Sequence, residues 1–353
     1  MKKFLATPGP VNIPDFVHQA MQNVYYHRSL EFFNIQKECS TLLSHFFNNS
    51  IPSIIMPSSG TGIMEMALIN ILSPNDKVIC LEFGKFSERF RHIAQAFGCN
   101  VVSIKSPCGT YPSPDQLEQT LSIHPDAKVI TTCHSETSTC VLAPIKEYAK
   151  IIAPTDTLFV VDAISSVSTC SIDQELNKID ICLGAGHKGF MIDPGLAFLS
   201  YCGDKLLPAI KTSTLPKFYF NLQKEMLIQK DGLVSWTPNI MQILGLQASL
   251  QHMIQEGISN IYDRYQQLSQ FTLQSGKELG LTSVVQNHFD NSLSVSGFFV
   301  PNPKEIIKKM DNQNIIITGG QGELADKIIR IGHLGNTTLS EMSWIMKSLA
   351  TSL

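Results

Sequence analysis

The stretch "LGAGHKGFMIDPGLAFLS", residues 183–200, decides between two kinds of α/β fold. Its first three glycines have the spacing of the dinucleotide-binding motif G-x-G-x-x-G, which needs a helix directly after it to hold a pyrophosphate. Pro194 and Gly195 stand where that helix would run, and a proline costs a helix interior about 3 kcal/mol. The stretch therefore predicts a loop around Lys188 between two strands and disfavours a dinucleotide site.

Outside this stretch, short apolar runs alternate with amphipathic segments. The runs predict buried strands at 53–57, 77–82, 100–104, 128–133, 157–163, 179–184 and 195–200. The segments between them predict helices at 62–72, 87–97, 114–122 and 144–152. Apolar strands separated by helices are typical of a parallel sheet that is covered on both faces. We therefore predict an α/β fold whose large domain has a mostly parallel seven-stranded sheet, with an antiparallel last strand because only a loop precedes it.

The pattern changes after Pro238. Long helical patterns at 239–255 and 258–279 precede short strand and helix elements, which predict a smaller C-terminal α+β domain. The predicted division is an N-terminal segment 1–16, a large domain 17–245 and a small domain 246–353.

Composition narrows the class of protein. Of 353 residues, 43% are hydrophobic and 16% are charged, which is typical of a compact enzyme. The net charge of −3 and the lack of a basic run argue against nucleic acid, and no apolar run is long enough for a membrane span. Nine cysteines without a C-x-x-C pair indicate reduced thiols in the cytoplasm. Cys133, His134 and Cys140 lack a second ligand pair at zinc-site spacing, so no metal is predicted.

A second glycine segment, "PSSGTGIMEMAL" (57–68), follows a predicted strand and opens an apolar helix. Gly60, Thr61 and Gly62 would present backbone N–H groups to an anion at the helix amino end, although an ordinary serine-capped turn has the same pattern. The motif lacks the lysine of a nucleoside triphosphate loop and suits a single phosphate group.

Two chemically active residues end neighbouring predicted strands. Asp162 closes the run 157–163, and Lys188 follows 26 residues later. Open α/β sheets bind ligands at the carboxyl ends of their strands. An anion site, a carboxylate and an amine at one edge are the set that pyridoxal 5′-phosphate requires.

With these residues in place, the sequence resembles the fold-type I, class V pyridoxal-phosphate aminotransferases. It is most similar to the branch of alanine–glyoxylate, serine–pyruvate and 2-aminoethylphosphonate–pyruvate transaminases. The resemblance implies an aspartate-aminotransferase-like fold and covers nearly the whole chain. It rests on "TPGPVNIP" (7–14), "HRSLEF" (27–32), "SGTGIMEMA" (59–67), "GKFSERF" (84–90), "HSETSTCVLAPI" (134–145), "VVDAISS" (160–166), "GHKGFMIDPGLAF" (186–198), "WTP" (236–238) and "RIGHLG" (330–335).

The resemblance implies a role for each matching residue. Lys188 would form the Schiff base and move a proton between substrate and cofactor, and Asp162 would keep the pyridine nitrogen protonated. The phosphate would be held by Gly60, Thr61, Gly62 and, from the other subunit of a homodimer, Thr237.

The remaining implied contacts surround the cofactor ring and the substrate. Phe86 would stack on the ring, although an aromatic residue is often plain core packing. Thr137 would bond near the phenolic oxygen. Arg330 would hold the substrate carboxylate with a two-pronged contact. The N-terminal segment 1–16 would contribute to the active site, with Gly9 leaving space for the substrate.

Some positions depart from the branch. His187, included among the cofactor-binding residues, replaces the usual Gln or Asn and is found in the related desulfurase group. Arg28 receives no role, and Glu136 fits a helix cap or an ion-pair partner. The other departures are Gly186, Asp193 and Cys140.

The predicted function is transfer of an amino group between a small amino acid, alanine or serine, and a 2-oxo acid, glyoxylate or pyruvate. The alternative is 2-aminoethylphosphonate–pyruvate transamination. Phosphoserine aminotransferase fits "HSETST" less well, and a non-catalytic binding relative would not need both Asp162 and Lys188. A cysteine desulfurase would need a nucleophilic cysteine after the lysine region, and none follows Cys202.

Overall fold

The computed structural model describes residues 3–353, so the first two residues of the predicted segment 1–16 lie outside the described residues. The first ten strands are β1 (Phe4–Leu5), β2 (Ile54–Pro57), β3 (Lys77–Glu82), β4 (Asn100–Lys105), β5 (Val129–Cys133), β6 (Ser135–Glu136), β7 (Val141–Leu142), β8 (Leu158–Asp162), β9 (Ile181–Ala185) and β10 (Leu196–Tyr201).

Seven of these strands form one sheet in the order β2-β10-β9-β8-β5-β3-β4. Strand β10 is antiparallel to both of its neighbours, and the other neighbouring strands are parallel. The prediction of a mostly parallel seven-stranded sheet with an antiparallel last strand is confirmed. Since β10 reverses direction against both β9 and β2, these two strands point the same way.

Helices cover both faces of this sheet. They are α1 (Asp15–Ala20), α2 (Leu30–Phe47), α3 (Gly60–Ile69), α4 (Lys85–Ala96), α5 (Pro114–Ile123), α6 (Ile145–Ile152), α7 (Leu206–Thr212) and α8 (Leu222–Gln229). Alternate residues of β8 enter different cores: Phe159 and Val161 pack on one face, and Leu158 and Val160 on the other. Burial on both faces explains why the strand reads as a continuous apolar run.

The C-terminal region has its own antiparallel sheet, in the order β11-β12-β15-β14. Its elements are α9 (Ile240–Glu256), α10 (Ile258–Glu278), β11 (Thr282–Ser283), β12 (Val295–Phe299), α11 (Pro303–Asn312), β13 (Ile315–Ile316), β14 (Thr318–Gly319), β15 (Ile328–Gly332) and α12 (Leu339–Ala350). The predicted boundary between the two domains, after residue 245, falls inside helix α9. This helix packs against α1 and α2. Strand β1 pairs in parallel with β13, which ties the N-terminal segment to this region.

None of the helices within residues 3–353 has the length and apolar character needed to cross a membrane.

The topology collects three chain segments at one sheet edge. Strands β8 and β9 are parallel neighbours, so their carboxyl ends lie side by side. Because β2 points the same way as β9, helix α3 begins at that edge too. The single antiparallel strand between β2 and β9 therefore brings the glycine segment to the loop around Lys188.

Candidate active site

A cavity of about 530 Å³ opens at this edge. Seven residues predicted for the site line it: Gly9, Gly60, Thr61, Phe86, Asp162, His187 and Lys188. The other lining residues are Pro10, Ser59, Met64, Arg89, Ser135, Ile164, Ser165, Pro194 and Gly195.

Lys188 lies buried in the cavity wall, with 8% of its surface exposed. Its Nζ donates to the carbonyl oxygen of Pro8 at 2.5 Å. Burial lowers the pKa of Lys188 to about 8; the charge of Arg330 adds to this, and Asp162 opposes it. The amine is therefore mostly charged at neutral pH, but a larger fraction of it is neutral than in an ordinary lysine.

Gly9 makes room for this lysine. A Cβ at position 9 would lie 2.6 Å from Nζ and from Cδ of Lys188, and the backbone φ of +112° disfavours any side chain there. The opening Pro-Gly-Pro loop, 180 residues away in sequence, therefore fits against the amine only because its centre is glycine.

Asp162 ends β8 inside the cavity. Its Oδ1 accepts the Ile164 N–H at 2.9 Å, and its Oδ2 accepts the Cys133 thiol at 3.6 Å. Burial raises the pKa of Asp162 to about 6. The carboxylate is fixed by two neutral donors and keeps capacity to accept a further donor from the cavity.

The amino end of α3 presents free N–H groups. Ser59 caps the helix, and its Oγ accepts the Gly62 N–H at 3.2 Å. Among residues 3–353, the N–H groups of Gly60 and Thr61 have no hydrogen-bond partner. A Cβ at Gly60 would lie 2.8 Å from Ile164 Cδ1, so a side chain there would have to displace the end of Ile164. Gly62 does not line the cavity; its N–H belongs to the cap.

Glu136 caps helix α4. The sequence allowed Glu136 either this role or that of an ion-pair partner. Fully buried, its Oε2 accepts the N–H groups of Phe86 at 2.9 Å and Ser87 at 2.8 Å, in the first turn of α4. Its Oε1 accepts the Ser138 hydroxyl at 2.6 Å. The N-cap residue, Gly84, leaves space for this carboxylate, since a Cβ there would collide with it. Glu136 thereby fixes the helix turn that carries Phe86.

Replacing Glu136 with alanine should lower the free energy of unfolding by about 2 kcal/mol, because two helix N–H groups lose a buried charged acceptor. Denaturant unfolding measures the change. The control is Glu147→Ala on α6, an exposed glutamate whose contact with Lys150 should contribute less than about 0.5 kcal/mol. Equal stability of the two variants would contradict the capping role.

Arg330 reaches toward the site from β15. Nε donates to the Gly319 carbonyl at 2.8 Å and Nη1 to the Thr137 carbonyl at 2.7 Å. Only 3% of the Arg330 surface is exposed, and this burial lowers the pKa of its guanidinium. No carboxylate of residues 3–353 lies within 4.0 Å of the guanidinium. Arg330 does not line the cavity, but its charge lowers the pKa of the lining residue Lys188. A buried cation without a counter-ion is suited to a carboxylate ligand.

Three further predicted residues lie in different surroundings. Thr137 is buried outside the cavity lining and contributes its carbonyl to Arg330. Thr237 is exposed between α8 and α9 and does not line the cavity of its own chain. His187 lines the cavity; burial lowers its pKa to about 4, and its Nδ1 has no partner among residues 3–353. His187 is therefore neutral at neutral pH.

Sequence reasoning missed Arg89, Ser135 and the thiol of Cys133. Arg89 lies in the helix predicted at 87–97, but that prediction left Phe86 outside the helix; because α4 begins at Lys85, the spacing of three residues places both side chains on one helix face. Ser135 and Cys133 gave no local signal. Within residues 3–353, no group of three His, Cys, Asp or Glu side chains is placed to hold a metal ion.

A buried amine, a fixed carboxylate and free helix N–H groups at the carboxyl edge of this sheet define an enzyme of the fold-type I transaminase class. The residues fit pyridoxal phosphate: the amine suits its aldehyde, Asp162 its ring nitrogen and the free N–H groups its phosphate.

Comparison with known proteins agrees. The model of the family "aminotransferase class-V" matches residues 4–332. A soluble hydrogenase small subunit from Synechococcus sp. is 33% identical over 343 residues, 95% of this chain and 88% of that protein. The serine–glyoxylate aminotransferase of Methylorubrum extorquens is 30% identical over 356 residues, 97% of this chain and 88% of that protein. The crystal structure of an alanine–glyoxylate aminotransferase from Nostoc sp. has a TM-score of 0.94 and 24% identity, covering 100% of this chain and 95% of that one. The chain belongs to the class V aminotransferase family.

Proposed function

We propose that this aminotransferase uses pyridoxal 5′-phosphate to move an amino group from alanine or serine to glyoxylate or pyruvate. The observation that carries the proposal is the meeting of Lys188, Asp162 and the amino end of α3 in one cavity. Relatives named as serine–glyoxylate and alanine–glyoxylate aminotransferases support the choice of substrates. The Synechococcus relative has a hydrogenase name, but the cavity has the groups of amino-group chemistry.

When bound, the cofactor supplies an electron sink for the bond that breaks at the substrate α-carbon. Asp162 would accept the ring N–H, and the N–H groups of Gly60 and Thr61 would hold the phosphate. Phe86 would cover one face of the ring, and Lys188 Nζ would take the proton from the substrate α-carbon and deliver it to the cofactor. Gly62, Thr137 and His187 stay proposed cofactor residues, with Gly62 acting through the cap of α3.

Substrate binding would depend on Arg330. Its guanidinium donates from two of its nitrogens to carbonyl oxygens and has no carboxylate partner among residues 3–353, so its remaining N–H groups can donate to the substrate carboxylate. Gly9 and Pro10 border the cavity next to Lys188 and would limit the size of the substrate side chain.

We also propose that the active enzyme is a homodimer. Large apolar side chains are exposed between α1 and α2, at the start of α2 and beside Trp236, the neighbour of Thr237; these are Val24 at 95%, Leu30 at 74% and Phe218 at 78%. A second copy would cover such a surface, and the partner subunit's Thr237 would then reach the phosphate. The nine free cysteines support a reducing compartment, the cytoplasm.

The test of the function is spectroscopic. Purified protein reconstituted with pyridoxal phosphate should be yellow, and alanine or serine should convert its visible band, with glyoxylate or pyruvate restoring it. Arg330→Lys should raise the amino acid concentration needed for this change by about tenfold or more. A protein that stays colourless with added cofactor would refute the proposal. A response only to 2-aminoethylphosphonate would show that this compound, and not alanine or serine, is the amino donor.

The lowered pKa of Lys188 predicts a pH dependence in the apoprotein. Only the neutral amine attacks an aldehyde, and Lys188 is mostly protonated below a pKa of about 8. The rate of pyridoxal uptake should therefore rise about tenfold per pH unit below 8 and level off above it. Stopped-flow absorbance measures the rate, with Lys188→Ala as the control that lacks this phase. A rate that keeps rising toward pH 10.5 would indicate an exposed lysine instead.

A further inference from the structure

Arg89 is a charged residue that lines the cavity and has no role in the proposed reaction. It lies on α4 one turn after Phe86, and its guanidinium carbon is 4.9 Å from the centre of that ring. Its Nη1 donates to the Thr61 hydroxyl at 2.9 Å. Helix α4 thus brings a guanidinium to the amino end of α3, where the free N–H groups lie.

The guanidinium of Arg89 is short of partners. Among residues 3–353 no carboxylate lies within 4.0 Å of it, whereas its helix neighbours Lys85 and Arg91 both pair with glutamates. The contact with Thr61 uses one of the five N–H donors of a guanidinium. A cation lining a cavity with most of its donors free is suited to an anionic ligand.

Positive charges outnumber negative ones around the cavity, and this excess can balance two anionic groups. Lys188, Arg89 and Arg330 are cationic groups in or beside it, and Asp162 is the only acidic residue among the lining residues that the structure describes. The nearby Glu136 carboxylate is already used by four donors at the cap of α4. Arg330 and Arg89 belong to different elements, β15 and α4, and hydrogen-bond to different partners.

We infer that Arg89 binds the phosphate of the cofactor, together with the N–H groups of Gly60 and Thr61; this rests on the proposed use of pyridoxal phosphate. The contact with Thr61 places the Arg89 guanidinium at the end of the site proposed for the phosphate. Arg330, the proposed contact for the substrate carboxylate, donates instead to Thr137. A guanidinium matches the oxygens of a phosphate with two parallel hydrogen bonds. The cap by Glu136 and the stack on Phe86 hold the helix turn and the side chain in position.

The test compares two aldehydes that differ only in the phosphate. Apoprotein is titrated with pyridoxal 5′-phosphate and with pyridoxal, following the visible band. Arg89→Met should weaken binding of pyridoxal 5′-phosphate about 10- to 100-fold and change binding of pyridoxal less than about twofold. Inorganic phosphate should raise the melting temperature of the wild-type apoprotein and not that of Arg89→Met. Lys85→Met, which removes a charge on the same helix outside the cavity, should match the wild type in every measurement.

Arg89→Lys keeps the charge and the aliphatic stem, and it provides the same comparison if the methionine variant does not fold. It should lose less affinity for pyridoxal 5′-phosphate than Arg89→Met. Unchanged affinity in Arg89→Met, or an equal loss for both aldehydes, overturns the inference and leaves the proposed function standing. If wild-type apoprotein binds neither aldehyde, the proposed function fails and the role of Arg89 fails with it.

Discussion

Lys188→Ala should lower the rate of transamination by at least about 10³-fold while the protein stays folded. The loss has two causes. The variant lacks the amine that would bind the cofactor aldehyde, and it lacks the base that would act on the substrate α-carbon. Base catalysis by one positioned group alone contributes 10²- to 10⁴-fold. Single-turnover measurement of the visible band with alanine or serine gives the rate.

The control for Lys188→Ala is Lys211→Ala, which removes an exposed lysine on α7 and should keep the wild-type rate. Added methylamine supplies a free amine and should restore part of the activity of Lys188→Ala but not change that of Lys211→Ala. Wild-type turnover by Lys188→Ala would rule out Lys188 as the amine of the reaction and require a different reading of the cavity.

Asp162→Asn should lower kcat about 10²- to 10³-fold, the second largest effect that we expect. The substitution keeps the shape of the side chain and removes the negative charge that would stabilise a proton on the ring nitrogen. Loss of one partner of a buried charged hydrogen bond costs about 2–5 kcal/mol, and a 10²- to 10³-fold change in rate, about 2.7–4.1 kcal/mol, lies within those limits. Steady-state kinetics with saturating cofactor measures the change.

Asp156→Asn is the matched control, because Asp156 is exposed before β8, at the opposite end of the strand from Asp162. Its kinetics should equal those of the wild type. Burial raises the pKa of Asp162 to about 6 in the apoprotein, so its carboxylate is ionised above pH 6 and protonated below. Apoprotein affinity for pyridoxal phosphate should accordingly fall as the pH drops through 6, and Asp162→Asn should lack that phase. A wild-type kcat in Asp162→Asn would show that the carboxylate does not act on the ring.

Local sequence was enough for most of the secondary structure. The apolar runs predicted strands at 77–82 and 128–133, and the structure has them at Lys77–Glu82 and Val129–Cys133. The helix predicted at 87–97 begins earlier, at Lys85, because Glu136 from another strand caps its first turn. A cap supplied from 50 residues away leaves no trace in the local pattern, and the boundary was missed for that reason.

The sequence by itself determined most strands and helices and the family, and it singled out Lys188 as a candidate, because these follow from apolar periodicity, from glycine and proline positions and from motifs along the chain. It did not predict helix α2. Only the tertiary structure decided how the groups of the site are brought together and which contacts hold them in place. Strand β10 brings α3 to the edge that holds Asp162 and Lys188. Gly9 fits against Lys188, Arg330 donates to Thr137, and Arg89 donates to Thr61. These contacts join residues 28 to 193 positions apart, and hydrogen bonds and burial at such separations depend on how the sheet is ordered, which no local pattern encodes.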